Sequence, residues 1–301
     1  MYQILHHPDK NSVEISSQTD GVYAKIHLDS GGSLQELILN KTTLIKAIDP
    51  LTYSRYYASS VLFPFANRIK DGTFKFNNKT FQLDTNNKEE RNALHGLVYN
   101  KLFTIKSQAA NPDSAHLILE YDYDKEAIGF PFSFSLQLKY TFKKHSLDLN
   151  VLVKNKSEDP FPFTIGWHPY FYSKHLNDSS LYFKSCSKLN IKERKIGYDL
   201  QSIPPTTYLK LGQINLDDCW QLEESEVVFK TPDYTLYLSS SEPQSFLQVY
   251  TPPKTDAIAI EPTTGGSNSF NTKIGLKTLM PKTTYNITWS LKLKTDSNKQ
   301  L

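Results

Sequence analysis

Phe132-Ser133-Phe134-Ser135-Leu136-Gln137-Leu138-Lys139-Tyr140-Thr141-Phe142 carries an apolar side chain at every second position. Successive side chains of a strand point to opposite faces, so the run reads as a strand with one face in a core and the other toward water. A polar break, Lys143-Lys144-His145-Ser146, follows, and the alternation resumes at Leu147, Leu149, Val151 and Val153. It returns near the C-terminus at Tyr285, Ile287, Trp289, Leu291 and Leu293. Runs of this kind are the pattern of half-buried antiparallel strands. Phe74-Lys75-Phe76 and Phe81-Gln82-Leu83 flank Asn77-Asn78-Lys79-Thr80, which predicts a hairpin. Leu117 to Tyr123, Tyr234 to Leu238 and Phe246 to Tyr250 read as further strands.

Helical periodicity is scarce, and the best candidate, around Tyr53 to Val61, allows no more than about two turns. Asn, Asp, Ser and Pro supply the turns that 12 glycines do not. No linker, composition shift or repeat divides the chain. Residues 1–301 are therefore expected to form one all-β domain, a large antiparallel β-sandwich of stacked sheets. The polar tail Lys294 to Leu301 is expected to fray.

Bulk composition narrows the function classes. A chain of 301 residues with 39% hydrophobic and 13% aromatic content can bury a large core. Its 34 basic and 31 acidic residues nearly balance, and the lysines are scattered, so no nucleic-acid footprint exists. Cys186 and Cys219 are too few for a disulfide framework and too far apart for a CxxC ligand pair, which predicts two reduced thiols. The N-terminus lacks a charged segment followed by an apolar one, and no apolar run approaches the ~20 residues that span a bilayer. The expectation is a soluble, cytoplasmic protein without a membrane partner.

Chemistry concentrates at a few positions. Glu261 follows the apolar run Ala257-Ile258-Ala259-Ile260 and precedes the turn-forming Pro262-Thr263-Thr264-Gly265-Gly266. A carboxylate placed where a buried strand meets a loop is costly to desolvate, which favours a raised pKa and a base that works near neutral pH. A strand-end Glu paired with a Lys is the plainer alternative. His95, in Asn92-Ala93-Leu94-His95-Gly96, precedes a glycine that permits close backbone approach. His168, in Gly166-Trp167-His168-Pro169-Tyr170-Phe171, is flanked by Trp167 and Tyr170, rings on which the C–H face of a pyranose packs. Either histidine also fits a core position satisfied by a carbonyl. Asn67 and Arg68, in Phe65-Ala66-Asn67-Arg68-Ile69, offer hydrogen-bond donors to hydroxyl oxygens, Arg68 in a fixed planar fork; a strand end with an exposed Arg is the alternative. Asp217-Asp218-Cys219-Trp220 supplies a carboxylate beside an aromatic, or an Asx turn. The other six histidines lie in polar or alternating contexts and receive no role.

In order along the chain, Pro64-Phe65-Ala66-Asn67-Arg68-Ile69, Gly72-Thr73-Phe74, Asn92-Ala93-Leu94-His95-Gly96, His168-Pro169-Tyr170-Phe171, Asp217, and Glu261-Pro262 followed by Asn271 resemble the aldose 1-epimerase (galactose mutarotase-like) family. The resemblance spans nearly the whole chain. It implies a β-supersandwich and a reaction without cofactor or metal that interconverts the α and β anomers of free aldoses. It implies Glu261 as general base on the C1 hydroxyl and His168 as general acid on the ring oxygen. His95 would assist, and Asn67, Arg68 and Asp217, rather than Asp218, would hold hydroxyls beside Trp167 and Tyr170. A carboxylate near His168 should raise its pKa and help keep it charged near pH 7. The well-known galactose mutarotases tend to have Asn-His-Ser-Tyr-Phe-Asn at the second histidine segment and Gly-Gly after the first histidine. This chain has Gly166-Trp167-His168-Pro169-Tyr170-Phe171 and Gly96-Leu97 there, which leaves the sugar open more than the chemistry.

Three other readings use the same residues. A carbohydrate-binding protein without turnover would not need Glu261, His95 and His168 to converge. A glycosidase would pair Asp217 with Glu261 at about 5–5.5 or 6.5–9.5 Å. A hexose-6-phosphate 1-epimerase would need additional Arg or Lys at the pocket rim. The expected partner is a small-molecule sugar, and the expected assembly a monomer or homodimer.

Overall fold

The computed structural model describes residues 1–47, 53–212 and 214–294. Among these, the strands form three large antiparallel sheets and three two-stranded pairs. The nine-stranded sheet is built around the alternating segments. Ser133–Lys143, Ser146–Asn155 and Thr284–Lys294 lie side by side. Their register sets Leu138 against Val151 and Tyr140 against Leu149. It then sets Val151 against Ile287 and Leu149 against Trp289. Each apolar row thus crosses three strands on one face, while Ser, Gln, Lys and Thr occupy the other. The sequence-distant C-terminal strand is held in the middle of the sheet, between Ser146–Asn155 and Thr235–Ser240.

The fold is a large antiparallel β-sandwich. The inner faces of the three sheets share a continuous apolar core, to which Ile15, Leu37, Leu138, Leu149, Val249 and Ile260 all contribute. Trp167 of the eight-stranded sheet stacks on Trp289 of the nine-stranded one, with ring centroids 6.3 Å apart. The Tyr140 hydroxyl donates to Gly32 O at 2.9 Å, joining the nine-stranded sheet to the N-terminal one.

Local predictions meet the structure unevenly. The hairpin forms, but its turn is only Asn77-Asn78, both at positive φ, so the returning strand Lys79–Gln82 begins two residues before Phe81. Helix around Tyr53 to Val61 shrinks to the single turn Tyr53–Tyr56. Tyr57 and Ser59 adopt φ of 53° and 59°, which stops the helix, and Val61–Leu62 joins the eight-stranded sheet. The N-terminal five-stranded meander, Gln3–His7 through Thr42–Ile45, has no counterpart among the strands read from the sequence. Its alternation is short, as in Val22, Ala24 and Ile26, and register shifts interrupt its pairing. Cys186 is exposed and Cys219 buried, and both are free thiols. The predicted frayed tail, from residue 295 onward, lies outside the described residues; Lys294 ends the last strand. No helix among the described residues is long and apolar enough to cross a membrane.

Candidate active site

The strand Ala257–Thr263 places the central carboxylate. Its two faces differ in size: Ile258 and Ile260 enter the main core, whereas Ala257 and Ala259 form a separate small cluster with Tyr170. Glu261 continues the alanine face. The small side chains before it leave room for a cavity, and the isoleucines behind it anchor the strand. Glu261 therefore lies within a central strand rather than at its end, and the turn begins only after Thr263.

His168 reaches Glu261 because one strand is interrupted opposite another. Gly166 pairs with Thr263, and Tyr170 pairs with Ala259. These two pairs share one register, and the residue midway between them, His168, faces Glu261. His168 pairs instead with the neighbouring segment: its N–H donates to Ser60 O at 3.0 Å, and its carbonyl accepts from Ser59 N at 2.7 Å. Its Nε2 lies 3.5 Å from Glu261 Oε1, with both side chains almost fully buried.

His95 arrives from a third segment. It adopts φ of 62°, and its N–H donates to Asn67 O at 2.9 Å. The next residue, Gly96, packs so closely on Phe63 that an added Cβ would stand 2.2 Å from Phe63 O. Glycine is required there, and that close approach turns His95 toward His168; the ring centroids are 5.1 Å apart. Tyr170 stacks on His168 at 5.0 Å, and Tyr57 packs on His95 at 4.7 Å. Glu261, His168, His95 and Tyr170 all line one cavity of about 520 Å³, within the usual range of small-molecule sites.

A chain of polar contacts runs around this cavity. Asn67 Nδ2 donates to Gln248 Oε1 at 3.3 Å, and Gln248 Nε2 donates to Asp217 Oδ1 at 3.0 Å. Asp217 also pairs with Lys195. Arg68 donates to Asn67 Oδ1 at 2.9 Å and grips both oxygens of Glu90. Asn67, Arg68, Asp217, Gln248 and Lys195 line the cavity, as do Tyr56, Tyr57 and Tyr250. Asp218 does not; it pairs with Lys188 at 2.7 Å. Trp167, expected against the sugar, is turned the other way: it is fully buried on Trp289, and its Nε1 donates to Ser59 O at 3.2 Å. Strand alternation explains this, since Trp167 and His168 are adjacent and must point to opposite faces.

Gln248, Glu90 and Lys195 were not among the residues singled out from the sequence. Gln248 carries the same signal as Glu261: a polar side chain inside an apolar strand, Phe246-Leu247-Gln248-Val249-Tyr250, directly opposite Glu261 in register. Nothing local marks Glu90 or Lys195 among the many charged surface residues.

Burial governs the electrostatics. Desolvation raises the Glu261 carboxyl well above its ordinary 4.5; Asp217 adds to the rise, and the Arg68 cation opposes it. Desolvation also lowers the His168 imidazole to about 3, and Arg68 lowers it further. His95 falls well below 6.5 by burial, with His168 and Arg68 contributing. The expected charged His168 is thus corrected. Loss of hydration is the largest cause of both shifts, and both partners favour their neutral forms in the free site. The carboxylic acid and the imidazole together hold one proton and, as a close pair, titrate as a unit.

Comparison with known proteins agrees with this architecture. The aldose 1-epimerase family profile matches residues 13–292. The chain belongs to the aldose 1-epimerase family. It is similar to the uncharacterised protein YihR of Escherichia coli K12, 23% identical over an alignment of 281 residues, with 85% of each chain covered. Among solved structures it resembles a galactose mutarotase-like protein from Clostridium acetobutylicum (TM-score 0.85, 21% identity, covering 98% of this chain and 99% of that one). It also resembles a galactose 1-epimerase from Lactobacillus acidophilus (TM-score 0.79, 17% identity, 98% of each chain).

Proposed function

We propose that residues 1–301 act as one domain that interconverts the α and β anomers of a free hexose by acid/base opening and reclosure of the ring. The observation that carries this reading is the convergence of a buried carboxylate and two buried imidazoles in one cavity, with Glu261 3.5 Å from His168. Ring opening removes the proton of the C1 hydroxyl while a proton is delivered to the ring oxygen. The C1–C2 bond then rotates, and the ring recloses on the other face. No hydride, electron or phosphoryl group moves.

In this assignment Glu261 takes the C1 proton, His168 serves the ring oxygen, and His95 assists from the same side. Asn67, Arg68, Asp217 and Gln248 hold hydroxyls, and Tyr170 offers its ring. Before the reaction the proton shared by Glu261 and His168 must shift to His168, giving the carboxylate and imidazolium that ring opening requires. Bound hydroxyls and Arg68 stabilise the carboxylate in that form. Base and acid each contribute typically about 10²–10⁴-fold.

The pH dependence follows from the shared proton. A second proton, added to His168 at about pH 3, leaves no base. Loss of the single proton, at the raised value of the Glu261 carboxyl, leaves no acid. A pH profile of kcat/KM should therefore show a plateau beginning below the ordinary carboxylate range and falling only on its alkaline side. A rate that instead rises through pH 6.5, the ordinary histidine value, would contradict this protonation state.

The test of the function itself is anomer exchange, followed by NMR or polarimetry on a panel of free and phosphorylated aldoses. Acceleration with free hexoses supports the proposal. Tight sugar binding without acceleration indicates a binding protein, and activity restricted to phosphorylated sugars indicates a hexose-6-phosphate 1-epimerase.

A further inference from the structure

We infer that Glu90, which does not line the cavity, is the positioning residue that holds Arg68 for the sugar, and that Arg194 braces Glu90 in turn. The inference rests on the aldose-binding role proposed for Arg68. Guanidinium has five N–H donors in a fixed plane. Arg68 gives Nε and Nη2 to the two Glu90 oxygens, the latter at 3.0 Å, and Nη1 to Asn67 Oδ1 at 2.9 Å. Two donors remain on a side chain that lines the cavity. An exposed single-point ion pair would hold such a group weakly; this one is bidentate, with side chains only 11% and 20% exposed.

Glu90 is itself fixed on two sides. Asn87 Nδ2 donates to its Oε2 at 2.8 Å, and Asn87 Oδ1 accepts its backbone N–H at 3.1 Å. Asn87 and Asn92 close the loop with paired backbone hydrogen bonds of 3.1 and 3.2 Å. Arg194 then enters from a segment about a hundred residues away. Its Nε donates to Glu90 O at 2.6 Å, and its Nη2 to Arg91 O at 2.6 Å, Asn92 Oδ1 at 2.9 Å and Asp71 Oδ1 at 2.7 Å. Backbone carbonyls that a tight loop leaves without strand partners are thereby satisfied, and the Glu90 carboxylate is presented at one fixed place. The next residue after Arg194, Lys195, pairs with Asp217, so one short segment ties both walls of the cavity.

The test is a double-mutant cycle of the full chain: wild type, Glu90→Gln, Arg68→Lys and the double variant. Kd for a free aldohexose such as glucose or galactose is read by calorimetry, and KM and kcat by anomer exchange. Glu90→Gln should raise Kd about 10–100-fold, the loss of charge-assisted hydrogen bonding, and leave kcat within about threefold. In the Arg68→Lys background the same substitution should change Kd by less than about twofold. An unchanged Kd in Glu90→Gln, or an effect that persists undiminished without Arg68, overturns the inference. Should Glu90→Gln fail to fold, Arg194→Lys takes its place, with a smaller rise in Kd that also vanishes in the Arg68→Lys background; an unchanged Kd there is equally fatal. If the wild type binds aldoses but does not speed their exchange, the enzymatic reading fails while the Kd cycle still decides Glu90. A wild type that binds no aldose overturns both.

Discussion

Glu261→Gln should lower kcat for anomer exchange by about 10²–10⁴-fold while leaving sugar affinity within severalfold of wild type. The amide keeps the size and much of the hydrogen bonding of the carboxyl but cannot accept a proton from the C1 hydroxyl. The variant should also be more stable than wild type in a pH-dependent way. The folded-state pKa of Glu261 is raised above 4.5, by burial first and by Asp217 second. Its stability contribution is therefore fully present below the unfolded pKa and is lost as pH rises through the raised value. Glu261→Gln removes that loss, so the gap in melting temperature between variant and wild type should widen with pH. Thermal unfolding across a pH series checks this. A variant retaining most of its exchange activity would mean that another group is the base, and a gap that narrows with pH would mean that the carboxylate is not held at a cost.

His168→Asn should be nearly as damaging, with kcat again lower by about 10²–10⁴-fold, because an amide cannot deliver a proton to the ring oxygen. The stability signature has the opposite pH sense. The His168 imidazole is lowered from 6.5 to about 3 by burial. Above 6.5 neither the folded nor the unfolded state binds a proton there. As pH falls from 6.5 toward 3, only the unfolded state does, and the folded protein loses stability. His168→Asn removes this term, so the wild type should lose stability relative to the variant through that window. Parallel acid limbs for the two proteins would show that His168 titrates normally, and kcat unchanged in the variant would remove it from the proton path. The two substitutions together separate the partners: one alters the alkaline side of the stability curve and the other the acid side.

The stability costs have a structural source. Glu261, His168 and His95 sit where hydration is lost; Glu261 and His168 approach to 3.5 Å, and the His95 and His168 rings lie 5.1 Å apart. The Nδ1 atoms of His95 and His168 are buried without a hydrogen-bond partner in the free site. Buried polar atoms of this kind are costly to leave unpaired, and both belong to residues that line the cavity.

Much of the fold was legible along the chain because strand alternation is a local property. The series from Phe132, Leu147 and Tyr285 needs only neighbouring residues to declare one face apolar, and these three segments became adjacent strands. Glu261 and Gln248 carried the same local mark, a polar group in an apolar strand, although only Glu261 was singled out. Other features depended on partners far away in sequence. The Tyr53 to Val61 stretch gave up helix for pairing with Gly166–Trp167 and His168. Trp167 turned into the core because its neighbour His168 had to face Glu261. Asp217 and Asp218 were separated by the pleat, one reaching Gln248 and the other Lys188.

The sequence by itself determined an all-β chain and nominated a carboxylate and two histidines, because residue type and period 2 are written in consecutive positions. Only the tertiary structure decided that these groups share one cavity, that Glu90 and Arg194 stand behind Arg68, and that burial pushes the His168 imidazole below its ordinary value. Each of those depends on distances between remote segments and on how much water the packed sheets exclude, quantities that no stretch of chain contains alone.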